Sequence, residues 1–259
     1  MRNRIGAIAF NTFREAVRDR VLYNLVLFAI LIVGSALMFG QISIGIERLV
    51  LINLGMTAIS LFGIVIAIFI GIGLVSKEIE KKTLYTVIGA RPVRRWEFII
   101  GKFAGLAGTL AVNAGFMAIG FFAALLYLTH KFQRADAYLL VALYFILLQF
   151  VVITALTLLF STFSSPLMSA VFAFSLFVVG TFAEDLRGFA AMTTGGTKIV
   201  STALAWVVPN FAAFNVISQV AHSVAVPGGL VLYNTAYALL YSAVCISAAV
   251  LIFESRNLK

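Results

Sequence analysis

The sequence predicts an all-α, polytopic membrane protein with six transmembrane helices in one domain, residues 1–259. Hydrophobic residues make up 62% of the chain and charged residues 11%, and the mean hydropathy is +1.07. Soluble domains carry about 25% charged and about 45–50% apolar residues. Apolar runs of about 20 residues recur along the chain, which is the length that a helix needs to cross a bilayer. They leave no room for a soluble catalytic domain.

The first 20 residues are too polar to span and predict a helix that lies in the membrane interface. Wound as a helix, they collect their apolar side chains on one face, namely Ala9, Phe10, Phe13, Ala16 and Val17. The polar side chains share the other face: Arg4, Asn11, Arg14, Glu15 and Arg18. The alternative is a basic cytoplasmic leader that only fixes the orientation.

Six apolar stretches are long enough to cross the membrane. They are residues 21–39, 49–75, 98–128, 138–160, 167–183 and 230–253. All four prolines fall outside these stretches, as expected where helices stop: Pro92, Pro166, Pro209 and Pro227.

The distribution of Lys and Arg predicts the orientation. With the N-terminus inside, 14 of the 19 basic residues lie in cytoplasmic segments and five lie outside, as the positive-inside rule requires. Both termini are therefore expected in the cytoplasm. The net charge of +9 sits in short loops beside the spans, so membrane lipid rather than nucleic acid is the expected partner.

Residues 184–229 precede the last span and are harder to interpret. Their apolar pieces, 199–208 and 211–221, are too short to span, so we predict short re-entrant helices that dip into the outer leaflet. Trp206 is the expected anchor there. The alternative is one broken seventh span, which would put the C-terminus outside.

The polar stretch 76–97 lies between the second and third spans and predicts a short cytoplasmic helix. Ser76 is the predicted N-cap, and Glu78 and Glu80 would then lie in the first turn, where carboxylates suit the helix dipole. Gly89 and Pro92 provide a stop. Three side chains are expected to anchor the next span at the headgroups: Arg94, Arg95 and Trp96.

A spaced set of residues in this loop carries a family resemblance: Glu78, Lys82-Thr83-Leu84, Arg91-Pro92-Val93, Arg95-Trp96-Glu97-Phe98 and Gly101-Lys102. The order resembles the cytoplasmic loop of type 2 ATP-binding-cassette (ABC) permeases, a family of exporters that includes permeases linked to maturation of multicopper enzymes. Lys82 replaces the usual Gly, and Tyr85 replaces the usual Glu. The layout of interfacial helix, six spans, coupling helix and re-entrant helices is also that of this family.

The resemblance implies a permease in the cytoplasmic (inner) membrane of a prokaryote. It would pair with a second permease chain, identical or different, above two ABC ATPase subunits. ATP and Mg would bind to those subunits, and this chain would bind no cofactor. The resemblance assigns contact with the ATPase to Glu78, Glu80, Thr83, Leu84, Val87, Arg91 and Pro92.

The chain itself offers no catalytic or metal site. A phosphate-binding loop needs Gly-x-x-x-x-Gly-Lys-Ser/Thr, whereas Gly101-Lys102 is followed by Phe103. One Cys and two His make a metal site unexpected. Besides export, an ion-coupled secondary transporter and a non-transporting subunit that relays ATP-driven motion stay open. The only charged residue within the predicted spans is Lys102, which argues against proton coupling.

Two groups of residues inside the spans have alternative interpretations. Four polar residues could line a substrate path or bond neighbouring helices: Asn53, Asn113, Gln149 and Asn234. Gly101 and Gly105 have the Gly-xxx-Gly spacing that favours close helix packing.

Overall fold

The computed structural model describes residues 2–19, 27–28, 30–32, 34–35, 47–80, 94–131, 133 and 136–255, and all regular structure in these ranges is helical. The helices are α1 (Arg2–Asp19), α2 (Glu47–Glu80), α3 (Arg95–Thr129), α4 (Ala137–Phe163), α5 (Pro166–Thr181), α6 (Ala183–Met192), α7 (Gly196–Val207), α8 (Ile217–Ala221) and α9 (Gly228–Ser255). The predicted all-α membrane fold is thereby confirmed.

Helices α2, α3, α4 and α9 are each long and apolar enough to cross a membrane. Helices α5 and α6 together form a fifth candidate, bent by 60° at Phe182, where a straight span over 167–183 was predicted. Most of the first predicted span, 21–39, lies outside the described residues, so the count of six stays a prediction. Its described residues are helical, and Phe28 and Ile32 are buried.

Helix α4 lies at the centre of the bundle. It carries no charged residue and is apolar all round, a pattern typical of a buried helix. Residues 152–158 are all buried, and the helix packs against α2, α3, α5 and α9. Its buried hydroxyls bond back to their own helix, as Thr154 does to the carbonyl of Phe150 at 2.7 Å.

Glycines let α2 approach its neighbours closely. The ring of Phe150 from α4 covers Gly63 so tightly that a Cβ there would lie 1.8 Å from the ring. The ring of Phe121 from α3 covers Gly55 in the same way, and a Cβ on Gly55 would lie 2.4 Å from that ring. Because these rings sit where side chains would otherwise be, α2 cannot slide along α3 and α4 without moving them.

Helix α2 runs through Ser76 without a break to Glu80. The predicted N-cap at Ser76 is therefore wrong, because an N-cap has non-helical backbone and Ser76 is inside a helix. The physical reason is that Lys77, Glu78 and Glu80 favour helix and no breaker separates them from the span. Glu78 and Glu80 thus lie in late turns of α2 rather than in the first turn of a new helix.

Helix α1 packs along the first half of α3 through the predicted Gly-xxx-Gly pair. A Cβ on Gly105 would lie 2.6 Å from the carbonyl oxygen of Ala9 and 2.7 Å from Thr12. A Cβ on Gly101 would lie 2.7 Å from the side chain of Ile8. The close packing predicted for these glycines is confirmed.

Helix α1 turns only part of its predicted apolar face toward α3. Thr12 and Ala16 are buried, whereas Phe10 is 67% exposed. The space at Gly101 and Gly105 is taken by Ile8, the carbonyl of Ala9 and Thr12. An exposed apolar side chain such as Phe10 is compatible with the predicted position of α1 in the membrane interface.

The end of α9 lies against the start of α3. The Arg95 guanidinium donates hydrogen bonds to the carbonyls of Phe253 (3.0 Å) and Glu254 (2.9 Å). Carbonyls at a helix C-terminus lack intrahelical partners, and a cation there also suits the helix dipole. The rings of Phe98 and Phe253 stack beside this contact at 6.1 Å. The start of α3 and the end of α9 thus lie at the same end of the bundle. This fits a chain that crosses the membrane an even number of times between these two points, in α3, α4, the α5–α6 pair and α9.

We expect Gly105→Ala to lower stability by about 1–3 kcal/mol, because the added methyl would overpack the contact with α1. Apparent unfolding temperature in detergent would measure this. Gly115→Ala on the same helix is the matched control, since nothing lies within 4 Å of its Cβ position. An equal or larger loss in Gly115→Ala would contradict the packing role of Gly105.

A labelling experiment tests which face is cytoplasmic. In a Cys245→Ser background, Lys131→Cys should react with a membrane-impermeant maleimide on intact cells, whereas Ser255→Cys should react only after permeabilisation. Both positions are exposed and lie at opposite ends of the bundle. Labelling of Ser255→Cys in intact cells would invert the predicted orientation.

Candidate functional site

A largely non-helical segment, residues 208–216, enters the bundle between α7 and α8. Inside a bilayer its backbone groups need partners in the protein, and one face of α9 provides them. The Asn234 Nδ2 donates to the carbonyl of Ala213 at 2.7 Å. The Asn210 backbone N–H donates to the Tyr237 hydroxyl oxygen at 2.8 Å. We call residues 208–216 the re-entrant segment.

Two further contacts fix the re-entrant segment at its start. The Tyr241 hydroxyl donates to the carbonyl of Val207 at 3.0 Å, and the Phe211 N–H donates to the carbonyl of Gly180 at 3.0 Å. Glycine is needed in α5 here, because a Cβ at position 180 would lie 2.5 Å from both the Pro209 oxygen and the Phe211 ring.

A row of aromatic rings joins α5 to α9 through the re-entrant segment. Phe177 packs on Phe211 with ring centroids 5.3 Å apart, Phe211 on Phe214 at 6.5 Å, and Phe214 on Tyr237 at 6.0 Å. Such tilted pairs add packing energy to the hydrogen bonds. The re-entrant segment is therefore a fixed part of the bundle.

Beside the re-entrant segment lies a cavity of about 410 Å³, which we call the polar cavity. It is bounded by α2, α4, α5, the start of α6 and the chain from 211 to 217. Its polar lining consists of Thr57, Ser60, Gln149, Thr181, Glu184 and Asn215, and its apolar lining of Leu61, Ile146, Phe177, Phe211, Ala212, Phe214 and Ile217.

The inner end of the polar cavity lies near the middle of the membrane. Ser60 stands 13 residues into α2 and Gln149 12 residues into α4, so both lie about 18–20 Å from the helix starts. The Ser60 hydroxyl donates to Gln149 Oε1 at 2.8 Å. This bond links α2 to α4 where the two helices bound the polar cavity.

The end of the polar cavity away from Ser60 and Gln149 carries its charged side chain. Glu184 in the first turn of α6 is exposed and, among the residues that the structure describes, is the one Asp, Glu, Lys, Arg or His that lines the polar cavity. Deeper groups are hydroxyls and amides. The aromatic rings of the re-entrant segment form the opposite wall.

The four predicted substrate-path residues separate in the structure. Gln149 lines the polar cavity. Asn53 lines a neighbouring, mostly apolar groove of about 600 Å³ on α2, and its Nδ2 donates to the carbonyl of Leu49 at 3.0 Å. Asn234 holds the re-entrant segment. Asn113 is buried on α3, and neither of its amide atoms has a hydrogen-bond partner.

The predicted ATPase contacts lie partly beyond the described residues. Glu78 and Glu80 belong to α2. The other predicted contacts lie outside the described residues: Thr83, Leu84, Val87, Arg91 and Pro92.

The predicted membrane anchors take several places. Arg94 is exposed at the N-cap of α3, where its backbone N–H donates to Glu97 Oε2 at 3.1 Å. Arg95 binds the end of α9, a partner that the sequence did not predict. Trp96 is partly buried, and Trp206 lies in α7.

Thr57, Ser60, Thr181, Glu184 and Asn215 were not predicted as site residues. Hydroxyl side chains are common within membrane helices, so Thr57 and Ser60 carried no distinguishing signal. Glu184 and Asn215 belong to residues 184–229, whose path the sequence did not define. Among the described residues, no cluster of three or more His, Cys, Asp or Glu could hold a metal ion.

No curated protein matches the chain. The family model described as ABC-2 family transporter protein matches residues 6–258, which is nearly the whole sequence. The match covers α2, α4, α5, α6, the re-entrant segment and α9, the elements that build and hold the polar cavity. The chain belongs to the ABC-2 family of transporter proteins and is the membrane-embedded permease component of an ABC transporter.

Proposed function

We propose that this permease exports its substrate from the cytoplasm and is driven by separate ABC ATPase subunits that bind at the loop after α2. The observation that carries the proposal is the continuity of α2. This helix of 34 residues is about 50 Å long, whereas the hydrocarbon core is about 30 Å thick. One helix therefore reaches from the polar cavity to beyond the membrane.

The middle and the last turns of α2 carry the two groups that the mechanism needs. Thr57 and Ser60 line the polar cavity, and Glu78 and Glu80 lie in the last described turns. From Ser60 to Glu80 the helix rises by about 30 Å with no break in between. A displacement at Glu80 therefore reaches Ser60 along hydrogen-bonded backbone.

Movement of α2 would change the polar cavity in a defined way. The Ser60–Gln149 hydrogen bond crosses from α2 to α4, which is central. Shifting α2 would break this bond and displace Thr57, while the rings at Gly55 and Gly63 would resist a continuous slide. Packed contacts of this kind favour two discrete arrangements over gradual deformation.

Helices α1, α3 and α9 are held to one another by direct contacts. Arg95 ties α9 to α3, and Gly105 seats α1. Force applied at the loop would therefore act on α2 relative to this group. Export is proposed rather than import because the family that the chain resembles is dominated by exporters; the polar cavity runs from the middle of α2 to the α5–α6 bend, on the side predicted to face away from the cytoplasm.

Proton-coupled transport fits the described residues less well. Their buried acidic and basic side chains are Glu97, Lys102 and Asp136. Glu97 and Lys102 lie in the first two turns of α3, and Asp136 precedes α4 and pairs with Arg48. No described mid-membrane carboxylate, lysine, arginine or histidine is buried, although such groups normally carry a coupling proton.

The tagged chain, purified from its own source cells in mild detergent, should bring down an ABC ATPase identifiable by mass spectrometry. The double variant Glu78→Lys/Glu80→Lys should reduce the recovered ATPase about tenfold, because reversed charge at a docking surface weakens association. Asp185→Lys is the control, since it reverses an exposed acidic residue at the far end of the bundle. Equal recovery from all three proteins would contradict docking at the end of α2.

The purified chain alone should show no ATP hydrolysis, because it lacks a phosphate-binding loop. Hydrolysis should appear when the co-purified ATPase is present and disappear when it is stripped away. Phosphate release measured before and after stripping checks this. Activity in the stripped chain would refute a separate motor.

A further inference from the structure

We infer that the polar cavity selects organic cations that carry N–H donors, and that Glu184 is the residue that sets this charge preference. The inference rests on the proposed transport function and names the substrate class of the same cavity. It starts from the charge of the lining. Within the described part of the chain, Glu184 is the one charged side chain that lines the polar cavity, and the other polar lining groups are neutral hydroxyls and amides.

The apolar part of the lining suits a flat or aromatic body. Phe177, Phe211 and Phe214 line one wall of the polar cavity, and their mutual contacts hold the rings in place. A cation near ring faces gains electrostatic attraction in addition to burial. An anion would gain no such attraction from the rings and would be repelled by the carboxylate of Glu184.

The hydroxyls that line the polar cavity can accept hydrogen bonds, whereas the oxygens of its two amides, Gln149 and Asn215, already accept one each and their N–H groups remain donors. The Ser60 hydroxyl donates its hydrogen to Gln149 Oε1, and the Thr181 hydroxyl donates to the carbonyl of Val178 at 2.6 Å. Each hydroxyl oxygen keeps lone pairs that can accept an N–H. Amine N–H groups therefore find acceptors from the mouth to the inner end.

Two neighbouring charges sharpen the assignment. Asp185 also lies in the first turn of α6, so helix-dipole stabilisation applies to both acidic residues, but Asp185 does not line the polar cavity. Arg187 is on the same helix and is exposed, and it does not line the polar cavity either. Within the described residues the structure shows no ion pair between Glu184 and Arg187. Position, rather than the mere presence of charge on α6, distinguishes Glu184.

The test uses the purified full-length chain in phosphatidylcholine nanodiscs, where the lipid carries no net charge. The probes are ethidium, an aromatic cation with two amino groups, and 8-anilinonaphthalene-1-sulfonate, an aromatic anion of comparable size. Both increase in fluorescence when buried. We expect ethidium to bind saturably above empty nanodiscs, and the anion not to do so.

Glu184→Gln should weaken ethidium binding about fivefold, the upper range for a partly solvated charge pair. Asp185→Asn and Arg187→Gln should leave it within about twofold. Equal weakening by Glu184→Gln and Asp185→Asn would reduce the effect to general surface charge and overturn the assignment. So would saturable binding of the anion, or no ethidium binding by the native chain.

The binding assay contains no ATPase, so its failure is separable from failure of the proposed function. If ethidium does not bind but the ATPase still co-purifies through Glu78 and Glu80, the cation preference is wrong and the coupling stands. If ethidium binds through Glu184 but no ATPase is recovered, the cation preference stands and the proposed coupling to an ATPase is wrong.

Discussion

Backbone amides and carbonyls cannot be left without partners at membrane depth, and the form of this protein follows from how it meets that requirement at the re-entrant segment. Helices meet it internally, whereas residues 208–216 meet it only in part through their own turns. Asn234, Tyr237 and Tyr241 on one face of α9 and the carbonyl of Gly180 on α5 supply the missing partners. Because the re-entrant segment is held in this way, chain from four different helices can enclose a polar space without exposing bare backbone to lipid.

Helix α2 gives that enclosed space a connection to the opposite membrane surface. Its inner turns face the polar cavity, and its last turns project beyond the hydrocarbon core. The surrounding bundle is fixed differently: α1 seats in the glycine groove of α3, and Arg95 closes the end of α9. The structure therefore combines one long helix with a braced group of neighbours, an arrangement suited to a subunit whose energy comes from a partner.

Local sequence patterns predicted the features that depend on local physics. Apolar length located four of the predicted spans, those in α2, α3, α4 and α9, to within a few residues, Pro166 marked the first turn of α5, and Gly101 and Gly105 indicated close packing. The misses arise from tertiary context. Ser76 looks like a cap only if the preceding helix stops, and Glu184 acquires a site only when the chain folds back beside Gly180. Asn234 was recognised as important, but its role depends on a segment whose path no periodicity reveals.

The seating of α1 on α3 also has a consequence for the order of assembly. Helix α1 is synthesised before α3, and the groove that receives it is formed by Gly101 and Gly105, about 90 residues later in the chain. Until then its amphipathic surface has only the headgroup region to rest on. A nascent chain interrupted before residue 105 would therefore carry an undocked N-terminal helix, and completion of α3 is the earliest moment at which this end of the protein becomes protected.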